Sequence, residues 1–144
     1  MKPYLCIDPG AKGGWVYCDN SGPVFSGGND ELMDLQLNIR TTVIIENVPP
    51  FVGRLIPSSA SFKLGRSFGW LEGYFTGRGF PVVLVRPQAW QATAGVGTKG
   101  KDLTTSQWKN KLKSEAIRRY PNNKITLETA DAFLLLSHAR QHNL

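Results

Sequence analysis

The chain has 144 residues, of which 41% are hydrophobic and 19% are charged. We therefore expect one globular domain over residues 1–144, long enough to bury a substantial core. No apolar run approaches the roughly 20 residues that span a bilayer, and the N-terminus lacks the pattern of a secretory signal. These absences predict a cytoplasmic protein without a membrane partner.

The formal net charge of +6 is unevenly distributed. Residues 54–124 contain 13 Lys and Arg against three acidic residues, a net charge of +10. The rest of the chain has four basic and eight acidic residues, a net charge of −4. A basic middle segment favours a polyanionic partner, first of all nucleic acid. The alternative is a solvated surface that happens to be basic.

Apolar runs and turn residues divide the first third of the chain into strands and one short helix. The helix has Leu32, Leu35 and Ile39 at i, i+3 and i+7, and Asp30 is its expected N-cap. The predicted elements are a hairpin of strands 4–8 and 13–18, a third strand at 23–27, the helix at 30–39 and a strand at 42–46.

The rest of the chain alternates helical and extended patterns after the Pro49-Pro50 pair. The predicted elements are a helix at 58–77, a strand at 81–85, a short helix opened by Pro87, a loop at 94–105, a basic helix at 105–120 and a last helix at 127–142. This order predicts an α/β fold, with a mixed sheet and helices on its faces.

The helix predicted at 58–77 contains Gly65, Gly69 and Gly73, which share one face because they are four residues apart. Each costs about 1 kcal/mol relative to Ala inside a helix. The glycines therefore suggest close approach to a strand, a helix or a second subunit. The alternative is that part of this segment is a loop.

Four acidic residues stand where a folded sheet could bring them together. Asp8 and Glu46 each end a predicted strand and would emerge at one sheet edge if those strands are adjacent and parallel. Glu128 and Asp131 are three residues apart on the predicted last helix and share a face. Taken singly, Asp8 fits a turn, Glu46 an exposed strand end, and Glu128 a helix N-terminus.

Clustered carboxylates repel one another and raise each other's pKa unless cations neutralise them. Mg²⁺ prefers oxygen ligands of this kind. Two such ions roughly 3.5–4 Å apart activate water and stabilise the leaving oxygen in phosphodiester hydrolysis. Together, the four acids therefore indicate metal-dependent phosphodiester chemistry.

Several segments of the chain resemble, in order, those of the RuvC-type Holliday-junction resolvases, which belong to the ribonuclease H-like superfamily. Three of them resemble its metal-binding motifs: Ile-Asp-Pro-Gly at 7–10, Val-Ile-Ile-Glu at 43–46 and Glu-Thr-Ala-Asp-Ala at 128–132. Val-Arg-Pro-Gln-Ala-Trp at 85–90 resembles a further family segment, and Val-Gly-Thr-Lys-Gly-Lys at 96–101 resembles the basic loop that follows it.

The resemblance implies a ribonuclease H-like fold, with a mixed five-stranded sheet flanked by helices. It implies that Asp8, Glu46, Glu128 and Asp131 are catalytic and bind two Mg²⁺ or Mn²⁺ ions. It further implies a homodimer that nicks two strands of a four-way junction. The short interval from Asp8 to Glu46, and Glu in place of the usual Asp at 128, resemble a bacteriophage-encoded relative acting in the cytoplasm of a bacterial host.

Residues around the acids supply candidate DNA contacts. Lys99 and Lys101 lie in the predicted loop, where they would position the strand or stabilise developing charge during catalysis, unless they are ordinary exposed lysines. Phe51 follows two prolines and is a candidate for stacking on an unpaired base. Phosphate contacts are expected from Arg54, Lys63, Arg66, Lys109, Lys111, Lys113, Arg118 and Arg119.

Other aromatic, thiol and imidazole groups are expected to be structural. Phe62, Phe68 and Trp70 fit the core or a dimer interface better than base stacking. Cys6 and Cys18 are expected to be buried free thiols. His138 lies too far along the last helix from Asp131 to be a predicted metal ligand.

The leading hypothesis is a Mg²⁺-dependent endodeoxyribonuclease that resolves four-way junctions by paired nicks. One alternative is a nuclease that prefers flaps or other branched DNA. Another is a non-catalytic branched-DNA binding protein, which would not need four clustered acids. A third is an ATP-binding phosphotransferase-like domain. Such a protein is expected to have a second, duplicated domain, and 144 residues leave no room for it.

Overall fold

The computed structural model describes residues 2–19, 24–47 and 57–144. Five strands form one mixed sheet in the order β3-β2-β1-β4-β5, in which β1, β4 and β5 are parallel and β2 is antiparallel to both of its neighbours. The predicted five-stranded mixed sheet is confirmed. The strands are β1 (Tyr4–Ile7), β2 (Gly14–Cys18), β3 (Val24–Gly28), β4 (Thr42–Glu46) and β5 (Val82–Val85).

Four α-helices flank the sheet: α1 (Ser58–Gly77), α2 (Pro87–Ala94), α3 (Thr105–Arg119) and α4 (Ala130–His142). Pro87 opens α2, as predicted, and Gly95 closes it with a φ of 69°. A capping box fixes the start of α3, because the Thr104 and Gln107 side chains each accept a hydrogen bond from the other residue's backbone. In the described part of the chain, no helix is long and apolar enough to cross a membrane.

Alternating residues of the central strands bury their side chains on opposite faces of the sheet. Leu5 and Ile7 pack in a cluster with Phe75 of α1. Cys6 packs on the other face, in a cluster with Phe133 of α4. This period of two follows from strand geometry and gives the sheet two apolar layers.

The helix predicted at 30–39 is wrong. Residues Asn29–Asp34 form a 3₁₀ helix whose preceding residue is Gly28, so Asp30 is not its N-cap, and the chain is extended again at Leu35. The Trp15 indole donates to the Gly28 carbonyl at 2.9 Å, which ties this segment to β2. Such contacts override the weak helical pattern, and Ile39 is left 87% exposed.

The last helix begins three residues later than predicted, at Ala130. Before it, Thr126 and Thr129 cap each other, since each side-chain oxygen accepts the other residue's backbone N–H, at 3.1 and 3.3 Å. These reciprocal bonds form a turn in place of the first helical turn. Glu128 therefore lies in this turn, and the prediction that it shares a helix face with Asp131 is wrong.

Candidate active site

Two of the predicted acids lie at the carboxyl ends of adjacent parallel strands. Ile7 of β1 pairs with Ile45 of β4, so Asp8 and Glu46 follow one position later, side by side. The condition under which the sequence brings these two acids together, that their strands are adjacent and parallel, is met. Both residues are partly buried, whereas the strand residues before them are fully buried. The sheet therefore presents two carboxylates at one edge.

The turn that carries Asp8 is fixed by backbone bonds and by one amide side chain. The Asp8 N–H donates to the Gly14 carbonyl at 2.9 Å, and Gly10 N–H donates to Asp8 Oδ1 at 3.1 Å. Asn29 Nδ2 donates to the carbonyls of Asp8 and Gly10, at 2.7 and 3.1 Å. A Cβ on Gly13 would lie 2.3 Å from the Asp8 carbonyl oxygen, so the turn requires glycine there.

Glu46 is oriented by a buried tryptophan of α2. Trp90 is 1% exposed, and its Nε1 donates to Glu46 Oε2 at 2.7 Å. This bond leaves Oε1 of Glu46 available for another partner. The sequence had pointed to Trp90 only through the family segment at 85–90, and Asn29 was missed altogether. The turn composition Gly27-Gly28-Asn29 was the signal available for Asn29.

Asp131 completes a group of three electrostatically coupled carboxyls. Burial, together with the charges of Asp8 and Asp131, raises the pKa of Glu46 to about 8. Burial, and then the charge of Asp8, raises the pKa of Asp131 to about 7. The pKa of Asp8 is also raised, mainly by burial. Three acids held together with weakened hydration favour a bound cation.

Lys109 of α3 is the cation that offsets this charge. Its ammonium lowers the pKa of Asp8, Glu46 and Asp131 alike, so it lies close to all three carboxyls. The sequence had suggested Lys109 only as a DNA phosphate contact on a basic helix. Its place beside the acids depends on how α3 packs, through the buried residues Trp108 and Leu112.

Glu128 lies at the border of this group, in the turn before α4. Its backbone packs against the start of β2, where a Cβ on Gly14 would lie 2.9 Å from the Glu128 carbonyl oxygen. Its carboxylate points towards Gly28, since Glu128 Oε2 would lie 3.9 Å from a Cβ there. Glu128 is exposed, unlike the three coupled acids.

The donor chemistry of these residues fits a hard divalent cation. Carboxylate oxygens are the ligands that Mg²⁺ and Mn²⁺ prefer, and one lysine cannot neutralise three carboxylates. In addition, Oδ1 of Asn29 is buried and has no hydrogen-bond partner in the described part of the chain. Within residues 2–19, 24–47 and 57–144, however, no three Asp, Glu, His or Cys side chains are already close enough to hold an ion.

The other predicted DNA contacts are spread over two helices and a loop. Lys63 and Arg66 are exposed on α1, and Lys111 is exposed on α3, where its Nζ lies 6.0 Å from the Trp108 ring centroid. Lys113 of α3 is half-buried and Lys101 is exposed in the loop. Lys99 Nζ donates to Thr105 Oγ1 at 2.8 Å, which brings that loop against the start of α3. Phe51 and Arg54 lie outside the described residues.

Arg119 has a structural role in addition to its charge. Its Nη2 donates to the carbonyls of Thr93 and Ala94 at the end of α2, and its Nε donates to Glu115 at 2.7 Å. Arg118 also pairs with Glu115, but its side chain is 70% exposed. These two arginines hold the pKa of Glu115 at about 2, first through the Arg118 hydrogen bond.

The imidazole and thiol groups that were expected to be structural are buried. His138 is 9% exposed, and its Nδ1 lies 2.6 Å from the Thr93 hydroxyl oxygen, which links α4 to α2. Burial lowers its pKa. Cys6 and Cys18 are buried free thiols, as expected.

The fold matches that of a protein of known structure. T. thermophilus RuvC, solved in complex with a Holliday junction substrate, superposes with a TM-score of 0.61 at 14% sequence identity. The match covers 98% of this chain and 94% of that one. No family model and no curated protein matches the sequence. The chain therefore has the RuvC-like, ribonuclease H-like α/β fold.

Proposed function

We propose that this protein is a Mg²⁺- or Mn²⁺-dependent endonuclease that cuts four-way DNA junctions. The observation that carries the proposal is the group of Asp8, Glu46 and Asp131, three coupled carboxyls with raised pKa values at the carboxyl end of a parallel strand pair. The structural neighbour was solved with a Holliday junction, which supports the same class of substrate here.

We assign the metal ligands to Asp8, Glu46, Glu128 and Asp131. These residues would hold two divalent cations, whose chemistry would be to activate a water molecule and stabilise the leaving 3′ oxygen of a phosphodiester. Trp90 holds Glu46 in place for this role through its 2.7 Å hydrogen bond. Closing the site requires the carboxylates to approach one another, and Glu128 is free to do so because it is exposed in a turn.

The lysines around the site bind and orient the DNA strand. Lys109 lies next to the acids and would meet the phosphates of a strand that approaches them. Lys99 and Lys101, in the loop before α3, extend the positive surface at its start. The exposed residues Lys63 and Arg66 would contact more distant phosphates and add affinity without reading sequence.

We further propose that the protein works as a homodimer through α1, so that two sites nick two strands. Phe62 and Trp70 are 68% and 53% exposed on this helix. A Cβ on Gly65, Gly69 or Gly73 would meet nothing within 4 Å, so the glycines are not explained by close packing within the described part of the chain. A second copy of α1 would cover this face.

The test is cleavage of a labelled four-way junction with Mg²⁺, with nick positions mapped on every strand. We expect paired nicks from the wild type and at least a roughly 10³-fold lower rate from Asp8→Asn, which removes a charged metal ligand but keeps the side-chain shape. Asp34→Asn, at an exposed acid that is not among the proposed metal ligands, is the matched control. Equal rates for wild type and Asp8→Asn would reject the assignment.

Flaps, replication forks and plain duplex in the same assay decide the substrate. If a flap is cleaved faster than the junction, the metal-dependent nuclease activity stands, but the preferred substrate is a flap. Tight junction binding with no cleavage in millimolar Mg²⁺ or Mn²⁺, and no bound metal, would instead identify a non-catalytic branched-DNA binding protein.

A further inference from the structure

A cavity of about 390 Å³ opens beside the acid group and includes a lysine that the sequence analysis did not single out. That residue, Lys12, is exposed in the turn between β1 and β2 that begins at Asp8. The cavity is lined by Lys12, Thr105, Ser106, Lys109, Leu127 and Glu128.

The cavity adjoins the proposed metal site. Lys109 belongs to both, because it lines the cavity and its charge acts on Asp8, Glu46 and Asp131. Glu128 lines the cavity and is the fourth proposed ligand. When the scissile phosphate of a DNA strand lies at the acids, this cavity is therefore within reach of a neighbouring nucleotide.

The lining has the chemistry of a nucleotide site. Lysine ammonium and side-chain hydroxyl groups are the usual partners of DNA phosphates, and the lining provides two of each. Lys99 Nζ, bonded to Thr105 Oγ1, brings a third positive charge to the rim. Leu127 is 48% exposed and offers an apolar contact for a sugar or base. Glu128 is the one acid in this described lining, so a phosphate would lie against the lysines and away from it.

We propose that this cavity holds the DNA phosphate next to the one that is cut, with Lys12 and Lys109 as its charged partners. The inference rests on the proposed nuclease function and adds Lys12 as a substrate-binding residue. By fixing the neighbouring phosphate, Lys12 sets where along the strand the scissile bond meets the acids. Its removal should weaken binding at that one phosphate, and so misalign the strand, while contacts to other phosphates are unchanged.

Junctions with a single neutral methylphosphonate at each position around the cut test this proposal, in single-turnover cleavage by wild type and Lys12→Ala. We expect one flanking position at which the neutral group slows the wild type about 10-fold. Lys12→Ala should be about 10-fold slower on unmodified DNA and should not be slowed further by that one substitution. The salt dependence of junction binding by Lys12→Ala should also be weaker than that of the wild type, by the amount expected for one lost phosphate contact.

Lys124→Ala removes an exposed lysine that does not line the cavity and is the matched control. Lys12→Arg should keep the methylphosphonate effect because it keeps the charge. The proposal is wrong if Lys12→Ala cleaves unmodified DNA as fast as Lys124→Ala does. It is also wrong if every methylphosphonate slows Lys12→Ala by the same factor as it slows the wild type.

The two proposals fail separately. If the wild type does not cleave in Mg²⁺, the nuclease assignment fails. The same methylphosphonate series, read as binding affinity in Ca²⁺, then still reports whether Lys12 contacts one particular phosphate. Because Lys12 is exposed, Lys12→Ala should have the same melting temperature as the wild type. If its melting temperature differs, the experiments are repeated with Lys12→Gln in place of Lys12→Ala.

Discussion

The two faces of the sheet are covered in very different ways. Helix α4 is buried on nearly every side, with Phe133, Leu135 and Leu136 all at most 1% exposed. Helix α1 is longer, yet only Leu71 and Phe75 are buried, and residues 58–70 are exposed or half-exposed. The sequence explains the contrast, since α4 is apolar almost all round whereas α1 mixes glycines and polar residues with its apolar and aromatic ones. The larger buried cluster therefore lies on the α4 face, and the exposed part of α1 is the surface proposed above for the dimer.

The largest expected effect comes from truncating a core side chain on the α4 face. Phe133→Ala should lower the free energy of unfolding by about 3–5 kcal/mol, because Phe133 is 0% exposed and its loss leaves a cavity. Phe62→Ala on α1 should change it by less than about 0.5 kcal/mol. Urea unfolding at micromolar and much lower protein concentration measures both. Equal losses would remove the contrast between the faces.

The next largest expected effect is a loss of stability when the clustered, partly buried carboxyls ionise. The pKa of Glu46 is about 8 in the fold against an ordinary value of 4.5, so the folded state keeps a proton that the unfolded chain has lost. Stability of the metal-free protein should therefore fall as pH rises from about 4.5 to 8, by about 2 kcal/mol from this group after screening by water.

Glu46→Gln should flatten that decline and be more stable than the wild type at pH 8 in EDTA, since the amide oxygen still accepts from Trp90. Some slope should persist because the pKa of Asp131 is also raised, to about 7. Added Mg²⁺ should stabilise the wild type more at pH 8 than at pH 6, and should stabilise Glu46→Gln less. Identical pH profiles for the two proteins would contradict this electrostatic account.

A smaller effect separates two adjacent arginines on α3. Arg119→Ala should cost about 1–2 kcal/mol, because Arg119 donates to the carbonyls of Thr93 and Ala94 as well as to Glu115. Arg118→Ala should cost at most about 0.5 kcal/mol, since its pairing with Glu115 is exposed. Thermal melting of both variants is the measurement, and an equal loss would show that the Arg119 bonds to α2 are unimportant.

The smallest effect is a gain on α1. Gly69→Ala should stabilise the monomer by about 0.5–1 kcal/mol, because the new Cβ meets nothing within 4 Å and alanine favours the helix. Gly13→Ala should instead destabilise, since its Cβ would clash with the Asp8 carbonyl. In sedimentation, Gly69→Ala should weaken the dimer if two copies of α1 pack through the glycines. A monomeric wild type at high micromolar concentration would reject the proposed interface.

Much of the fold could be predicted from local patterns. The β-branched run at 42–46 and the interval at 58–77 gave element bounds that the structure confirms, because burial and periodicity agree there. The helix predicted at 30–39 failed because Gly28 and Asn29 bond to distant residues. The start of α4 was misplaced because two threonines cap each other, a local competition that the apolar pattern does not report.

The candidate site could also be predicted in part, where local sequence patterns place its residues. Apolar runs placed Asp8 and Glu46 at strand ends, but the parallel pairing of β1 with β4 entered only as a condition, because two other strands lie between them in the chain. The bond from Trp90 to Glu46, the place of Lys109 beside the acids, and the cavity with Lys12 depend on how α2, α3 and a turn pack in three dimensions. No spacing in the sequence encodes those contacts.

The most direct test of the account is the single-turnover rate of four-way junction cleavage in Mg²⁺ by wild type, Asp8→Asn, Glu46→Gln and Asp131→Asn, measured side by side. The account predicts paired nicks from the wild type and a loss of at least roughly 10³-fold from each variant, with junction binding retained in all four proteins. Wild-type rates in the three variants, or no metal-dependent cleavage by a wild type that binds junctions, would contradict it.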